Sequence, residues 1–451
     1  MGGDSCAFLG FERPDWALAQ PPSARSSEDA MTVLVFGNGG GSKALAFCRL
    51  LDSSKALVFG SSRGAEALCE HVGEVIALRR RGAEAAGGAL SANLEKSLRE
   101  RGAPPTADGF RRLAGLSMDA SAAAERLVPP SRGRVLAVLS GGKRDAQGVL
   151  GEMAPNMGEV TIEKVAINAV MAGCKPEYLP VVLAAVEAIL TDDYNIHGVM
   201  ATTMGASPVI VVNGPIRERI GMNMGLGALG QGNRANATIG RALRLVVRNV
   251  GGARPGGTER STLGNPMKFT MCFAEWEERN PWSPLHVERG FNKEDSVVTV
   301  FTMSSGPTLI VDQDSRTGSQ LAGTLGQGLQ SVMSPKAYFA TDCLLVVVPE
   351  HVDTFMRDNY TKEDIRQRIQ EVSARPVREL VADENSATGI KEASAAKMDD
   401  AALNKLMTKF RQDDDIHIVV AGGEAGKFSG AFHGWVTGNV GSIPVSRKIQ
   451  E

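Results

Sequence analysis

Between Asn213 and Phe291 the chain sets chemically capable side chains beside glycines more densely than a packing segment needs. The block MCFAEWEERNPWSPLHVERGF carries Cys272, Glu275, Glu277, His286, Glu288 and Arg289. A histidine close to carboxylates can move protons or hold a divalent metal. Read as a strand, HVERGF places His286 and Glu288 on one face, where Glu275 or Cys272 could join them. No HExxH spacing marks a metal site, and a His–Glu hydrogen bond that merely supports a loop is the plain alternative.

Just upstream, GMNMGLGALGQGNRANATIGRALRLVVRNV is a glycine-rich loop opening into a helix. Glycine accepts backbone angles other residues avoid, so such a loop can bring N–H groups close to a ligand. Asn223, Asn233, Arg234 and Asn236 are the expected substrate contacts, with Arg289, because partial positive charge at a helix entrance favours a carboxylate or phosphate. Helix capping and turn formation are the competing roles of Asn233, Arg234 and Asn236. Arg241, Arg244 and Arg248 form a stripe further along, read as a solvated face. Cys174, between two helices and beside Lys175, is a candidate nucleophile against the commoner fate of a packed thiol. Cys272 between Phe269 and Phe273 reads as core, and His197 as facing a strand edge. A second glycine-rich loop, GGEAGKFSG, offers Glu424, Lys427 and Ser429 but departs from the Walker spacing.

The elements that must position these residues alternate as in an α/β protein. After a leader of about 30 residues expected to be disordered, residues 31–145 read as a Rossmann-like domain. TVLVFG and ALVFG are its strands, SKALAFCRLL its first helix, and RVLAVLSGG a later strand. GNGGGS would cradle a phosphate through Gly37, Gly39 and Gly40, and Ser61, Ser62 and Arg63 stand where a ribose 2′-phosphate is held. That favours NADP over NAD, against a glycine-rich turn that binds no nucleotide. A larger α/β domain, residues 146–451, follows. VMATT, PVIVVNG and a helix form a ββα unit expected to repeat, over about 195–290 and 295–380, ahead of a glycine-rich C-terminal segment.

With 451 residues, 43% hydrophobic and 22% charged, the chain reads as a soluble protein of more than one domain. A formal charge of -2 with dispersed Lys and Arg gives no footprint for nucleic acid, and no apolar run is long enough to span a membrane. Six scattered cysteines without a CxxC pair favour a reducing, cytoplasmic setting. A homo-oligomer is left open.

The runs VAINAVMAGCKPEYLPVVLAAVEA, NGPIRERIG, GNRANATIGRALRL, NVGGARPG and SPLHVERGF resemble a bacterial family of UGSC-type selenoproteins, over about residues 146–300. Members carry selenocysteine or cysteine in a U/C-Gly-Ser-Cys motif. This chain has no Cys-Gly-Ser-Cys segment, so the resemblance assigns no redox residue here. It implies an enzyme-like module joined to a separate N-terminal domain. The expected function is an enzyme of lyase, hydratase or hydrolase type acting on a small polar or anionic metabolite, with His286, Glu288 and Cys174 as the catalytic candidates. An NADP-dependent oxidoreductase and a non-catalytic binding or scaffold protein are the alternatives.

Overall fold

A computed structural model describes residues 128–438 and 440–450, together with the strands β1 (Thr32–Gly37), β2 (Ala44–Leu50) and β3 (Ser54–Gly60). The chain divides into two compact units, Met1–Arg132 and Gly133–Glu451.

In the first unit β1, β2 and β3 form an antiparallel meander, with Thr32 opposite Arg49 and Ala44 opposite Gly60. This corrects the Rossmann-like reading. SKALAFCRLL supplies a strand rather than a helix, and the short connections 38–43 and 51–53 permit hairpins but not the long crossover that parallel strands require. Gly37 ends β1, while Gly39, Gly40, Ser61, Ser62, Arg63 and the leader lie outside the described residues.

The second unit opens with α1 (Arg132–Leu139), where a strand was expected. Its buried residues, Val135 and Val138, are three apart, which is a helical rather than a strand period. A hairpin of β4 (Val149–Met153) and β5 (Gly158–Thr161) leads into α2 (Ile162–Ala172), followed by α3 (Leu179–Ile189) and α4 (Ile196–Ala201). α4 takes the place of the expected strand VMATT. It is nucleated by Asn195, whose left-handed backbone and side chain cap the N–H of Gly198.

Next come β6 (Ser207–Asn213), α5 (Ile216–Arg219), α6 (Arg234–Asn249), β7 (Cys272–Ala274), α7 (Leu285–Glu288) and β8 (Val297–Val311). Then follow α8 (Gly318–Leu329), β9 (Thr341–Val347), α9 (Pro349–Met356), α10 (Lys362–Ser373) and the small ladder of β10 (Arg375–Pro376) with β11 (Leu406–Met407). β12 (Ile416–Val420), β13 (Phe428–Val436) and β14 (Val445–Lys448) complete the unit.

The main sheet runs β12-β9-β13-β8-β6-β7, with β14 added against β8. β6 and β7 are parallel, as are β9 and β12, and the other neighbours are antiparallel. The expected ββα unit is absent, because α4 is helical and 297–311 is one strand. What recurs is a different pattern. In each half the first strand (β6 or β9) crosses through helices to a parallel neighbour (β7 or β12), and the chain then returns on the first strand's other side (β8 or β13). The halves join where β8 pairs with β13. Single bonds repeat too: Glu275 N donates to Val212 O at 3.1 Å and Ala421 N to Val347 O at 3.2 Å.

Strand alternation sorts the core. Cys343, Leu345, Ile416 and Ile418 face outward onto Leu325 of α8, Phe355 of α9 and Ile369 of α10. Their neighbours Leu344, Val346 and Val419 meet Val209, Phe273, Phe301 and Phe432 in a second cluster fed by six strands. The sheet therefore curls until its edges approach, and Trp276 N, just past β7, donates to Val420 O at 2.7 Å. On the other side α6 packs on α2 and α3, and α3 covers β8 and β14. No helix among the described residues is long and apolar enough to cross a membrane.

Candidate functional site

The ends of the parallel pair β6 and β7 release the chain into polar sequence, and a buried network forms there. Asn213 closes β6 and is fully buried. Its Nδ2 donates to Glu275 Oε2 at 2.6 Å and to Glu277 Oε1 at 3.0 Å, while its Oδ1 has no partner. Glu275, also fully buried, further accepts from Asn280 Nδ2 at 2.8 Å and from Leu285 N at 2.8 Å. Glu277 accepts from Gly214 N at 2.7 Å. Gly214 has φ 81°, and a Cβ there would sit 2.1 Å from Asp295 O, so only glycine lets this N–H reach the carboxylate.

Arg217 holds these carboxylates in register. It is buried on α5, with Nε 3.1 Å from Glu277 Oε1, Nη1 donating to Glu275 O at 2.7 Å, and Nη2 2.9 Å from Glu278 Oε1. The Arg217 hydrogen bond keeps the Glu278 carboxyl below its ordinary range. His286, with no exposed surface, places Nε2 3.3 Å from Lys293 O and Nδ1 3.9 Å from Glu277 Oε1. When Nε2–H donates to that carbonyl, Nδ1 is left as a lone pair without a partner.

Burial pushes the Glu275 carboxyl above its ordinary range, against the opposing pull of Lys362 and of the Asn213 and Leu285 donors. A raised folded-state value means that the fold holds the proton more tightly than the unfolded chain does. The associated stability is complete below the ordinary glutamate value of about 4.3 and is lost as pH rises through the folded value. Glu275→Gln keeps the protonated shape, so its melting temperature should fall less than the wild type's between acidic and neutral pH. Parallel melts across that range test this, and indistinguishable profiles would count against a proton on Glu275.

The other candidates are distributed as follows. The strand expected at HVERGF is instead α7, bounded by Pro284 and by Gly290 at φ 87°. Two residues apart on a helix means about 200° of rotation, so His286 and Glu288 diverge. Glu288 is drawn to Lys362 Nζ at 2.7 Å and Arg366 Nη2 at 3.1 Å. Arg289 donates to Ser446 Oγ and Pro444 O, both at 2.6 Å. Asn233 caps α6 by accepting from Asn236 N at 3.0 Å. Asn236 is buried and clamps the glycine-rich loop through Asn223 O at 2.7 Å and Ala228 O at 3.2 Å. Asn223 in turn accepts from Gly225 N at 3.0 Å. Arg234 is exposed and donates to Gly173 O at 2.9 Å rather than meeting His286.

His197 is exposed on α4, and Cys272 is core as expected. Arg244 is buried, which corrects the solvated stripe. Cys174 is buried, its Sγ 3.3 Å from Thr238 O, and burial pushes the thiol up to about 12. Lys175 leans over the Tyr178 ring at 5.9 Å and pairs with Glu177. With the thiol raised from 9.0 to about 12, iodoacetamide at neutral pH should label native Cys174 about a thousandfold more slowly than the unfolded chain. Peptide mass spectrometry reads this, and rapid labelling of the native protein would overturn it.

Among the described residues no three His, Cys, Asp or Glu side chains are placed to hold a metal ion together. The two glycine-rich loops, far apart in sequence, meet at the rim of the network. Gly422 N donates to Met224 O at 2.9 Å, and Arg279 bridges Asp353 at 3.1 Å and Glu424 at 3.5 Å. Ser429 lies deeper, with its Oγ 2.6 Å from His351 Nδ1. An open groove of about 380 Å³ between α8 and α10, lined by Ser319, Gln320 and Arg368, lies outside the network. Asn213, Arg217 and Lys362 were not anticipated as site residues. Their signal is faint: an Asn-Gly step ending an apolar strand, then charges that read as a solvated helix. No family model, no curated protein and no solved structure matches the chain.

Proposed function

We propose that this chain is an enzyme catalysing proton-transfer chemistry, of lyase, hydratase or hydrolase type, on a small polar metabolite at the Glu275–Glu277–His286 network. The observation that carries the reading is three titratable groups held in one buried network, with the Glu275 carboxyl raised by burial and the His286 Nδ1 lone pair unpartnered beside Glu277. Environments that drive neighbouring groups apart in proton affinity are how one site supplies both an acid and a base. In this reading Glu275 holds the proton, while His286 Nδ1 and Glu277 accept one. Arg217 fixes the Glu277 carboxylate, and the loops at 221–232 and 422–426 cover the network and exclude water. The donors of Asn213, Asn280 and Gly214 are committed to Glu275 and Glu277, so substrate orientation falls to the loop backbones.

The test is incubation of the purified chain with a pooled metabolite extract, followed by mass spectrometry for compounds consumed and formed. Changes of mass by water, or isomerisations, that vanish in a Glu277→Gln variant support the reading. Turnover that survives that substitution removes it.

A further inference from the structure

A second polar cluster takes no part in this network. Between residues 244 and 268 the chain carries Arg244, Arg248, Arg254, Arg260 and Lys268 against the single carboxylate of Glu259, although its net charge is -2. Backbone bonds from Ala253 N to Val247 O at 3.3 Å and from Gly256 N to Glu259 O at 3.1 Å bring the chain at Arg254 back beside Arg248 and Arg260. Glu259 is buried and shared by two buried cations, Arg244 on α6 and Lys268, whose Nζ lies 3.2 Å away. Lys268 also donates to Ala206 O at 2.8 Å, and Arg244 Nη1 meets the Met200 sulfur at 2.9 Å. Half-buried Arg248 and exposed Arg254 and Arg260 form no ion pair with any described residue.

The loop bearing these residues is built rather than slack. Thr262 N donates to Thr203 O at 2.9 Å, Ser261 Oγ to Met204 O at 2.7 Å, and Asn265 Nδ2 to Ser304 O at 3.0 Å. Gly252 turns at φ 74° where a Cβ would strike the Asn156 side chain at 1.9 Å, and Gly256 turns at φ 78°. Desolvated cations are costly without matching counter-charge. Burial, then repulsion from Arg244, lowers Lys268 to about 8, and burial with its arginine neighbours lowers Arg244 to about 10. Two buried cations thus share the one carboxylate of Glu259.

We infer that the 251–265 loop and the α6 face beneath it bind a dianionic phosphate group, either free or carried by a small molecule. Arg248, Arg254 and Arg260 contact its oxygens, and Arg244 with Lys268 supplies fixed positive potential from below. Arginine suits this role because its planar fork pairs with two phosphate oxygens at once. The inference is independent of the acid–base network, since it rests on different residues and is read by binding alone.

The experiment titrates the full chain with inorganic phosphate, pyrophosphate and a phosphorylated sugar, by calorimetry and thermal shift, with sodium chloride at matched ionic strength. Saturable binding and a rise in melting temperature are expected for at least one of the three, and which one responds separates a free from a carried phosphate. The triple variant R248A/R254A/R260A removes no ion pair to a described residue and should melt like wild type. Its Kd should rise at least about tenfold, since each lost charge-assisted contact alone is worth that much. R248K/R254K/R260K should recover part of the affinity. The inference is overturned by no saturable binding at millimolar ligand, by an unchanged Kd in the alanine variant, or by an equal effect of chloride.

Discussion

Replacing Arg217 by methionine is expected to lower the stability of the second unit by about 3–5 kcal/mol, the usual cost of removing one partner from a buried ion pair. Arg217 is only 3% exposed, and it is the guanidinium that meets both Glu277 and Glu278. Without it Glu277 remains among Gly214, Asn213 and His286 as a carboxylate with no opposing charge. At about 1.5 °C per kcal/mol for a unit of about 320 residues, the melting temperature should drop by roughly five to eight degrees. Adding Glu277→Gln to Arg217→Met should restore part of the loss, because neighbours in one network are not additive. A single variant that melts within two or three degrees of wild type by circular dichroism would show that the network is not held this way.

The second large effect concerns rate. His286→Gln keeps an N–H able to reach the Lys293 carbonyl but removes the ring nitrogen that faces Glu277. For any metabolite the chain turns over, kcat should fall by about 10²–10⁴-fold, the usual contribution of a positioned general base. The melting temperature should change little, since no large apolar side chain is lost. Full activity in a folded His286→Gln variant would remove the histidine from the mechanism, whereas an unfolded variant would be recognised by its melt and replaced by His286→Asn.

How far these residues could be read from sequence depends on what the signal was. Strand β6 was legible because its centre, PVIVV, is a continuous apolar run, buried along its whole length. Helices α2, α6 and α10 were legible because their apolar residues recur at helical spacing, and α3 because a largely apolar eleven-residue run carries a proline in its first turn. The misread segments are short or apolar on both faces. VMATT and HVERGF each fill little more than a turn, so capping by Asn195 and Pro284 outweighed their strand-like alternation. In RVLAVL every residue after Arg134 is apolar, which gives no period to choose between helix and strand. Within the site, Glu275, Glu277 and His286 stood out in a block dense with chemically capable side chains, whereas Arg217 was hidden among the charges of IRER. The repeat escaped for another reason. The halves share strand order and single hydrogen bonds rather than residue types, so comparison of letters paired α4 and β6 with β8 instead of β6 with β9.

The inner cluster has a further meaning. Because Phe273, Phe301 and Phe432 are fully buried inside the curled sheet, its middle is filled by side chains, and the Glu275–Glu277–His286 network lies at the strand ends. The loops at 221–232, 275–280 and 422–426 then resemble interchangeable fittings on a sealed frame. Such a division makes a scaffold evolvable: loops can be lengthened, recharged or exchanged while the frame that folds the chain goes on being inherited intact.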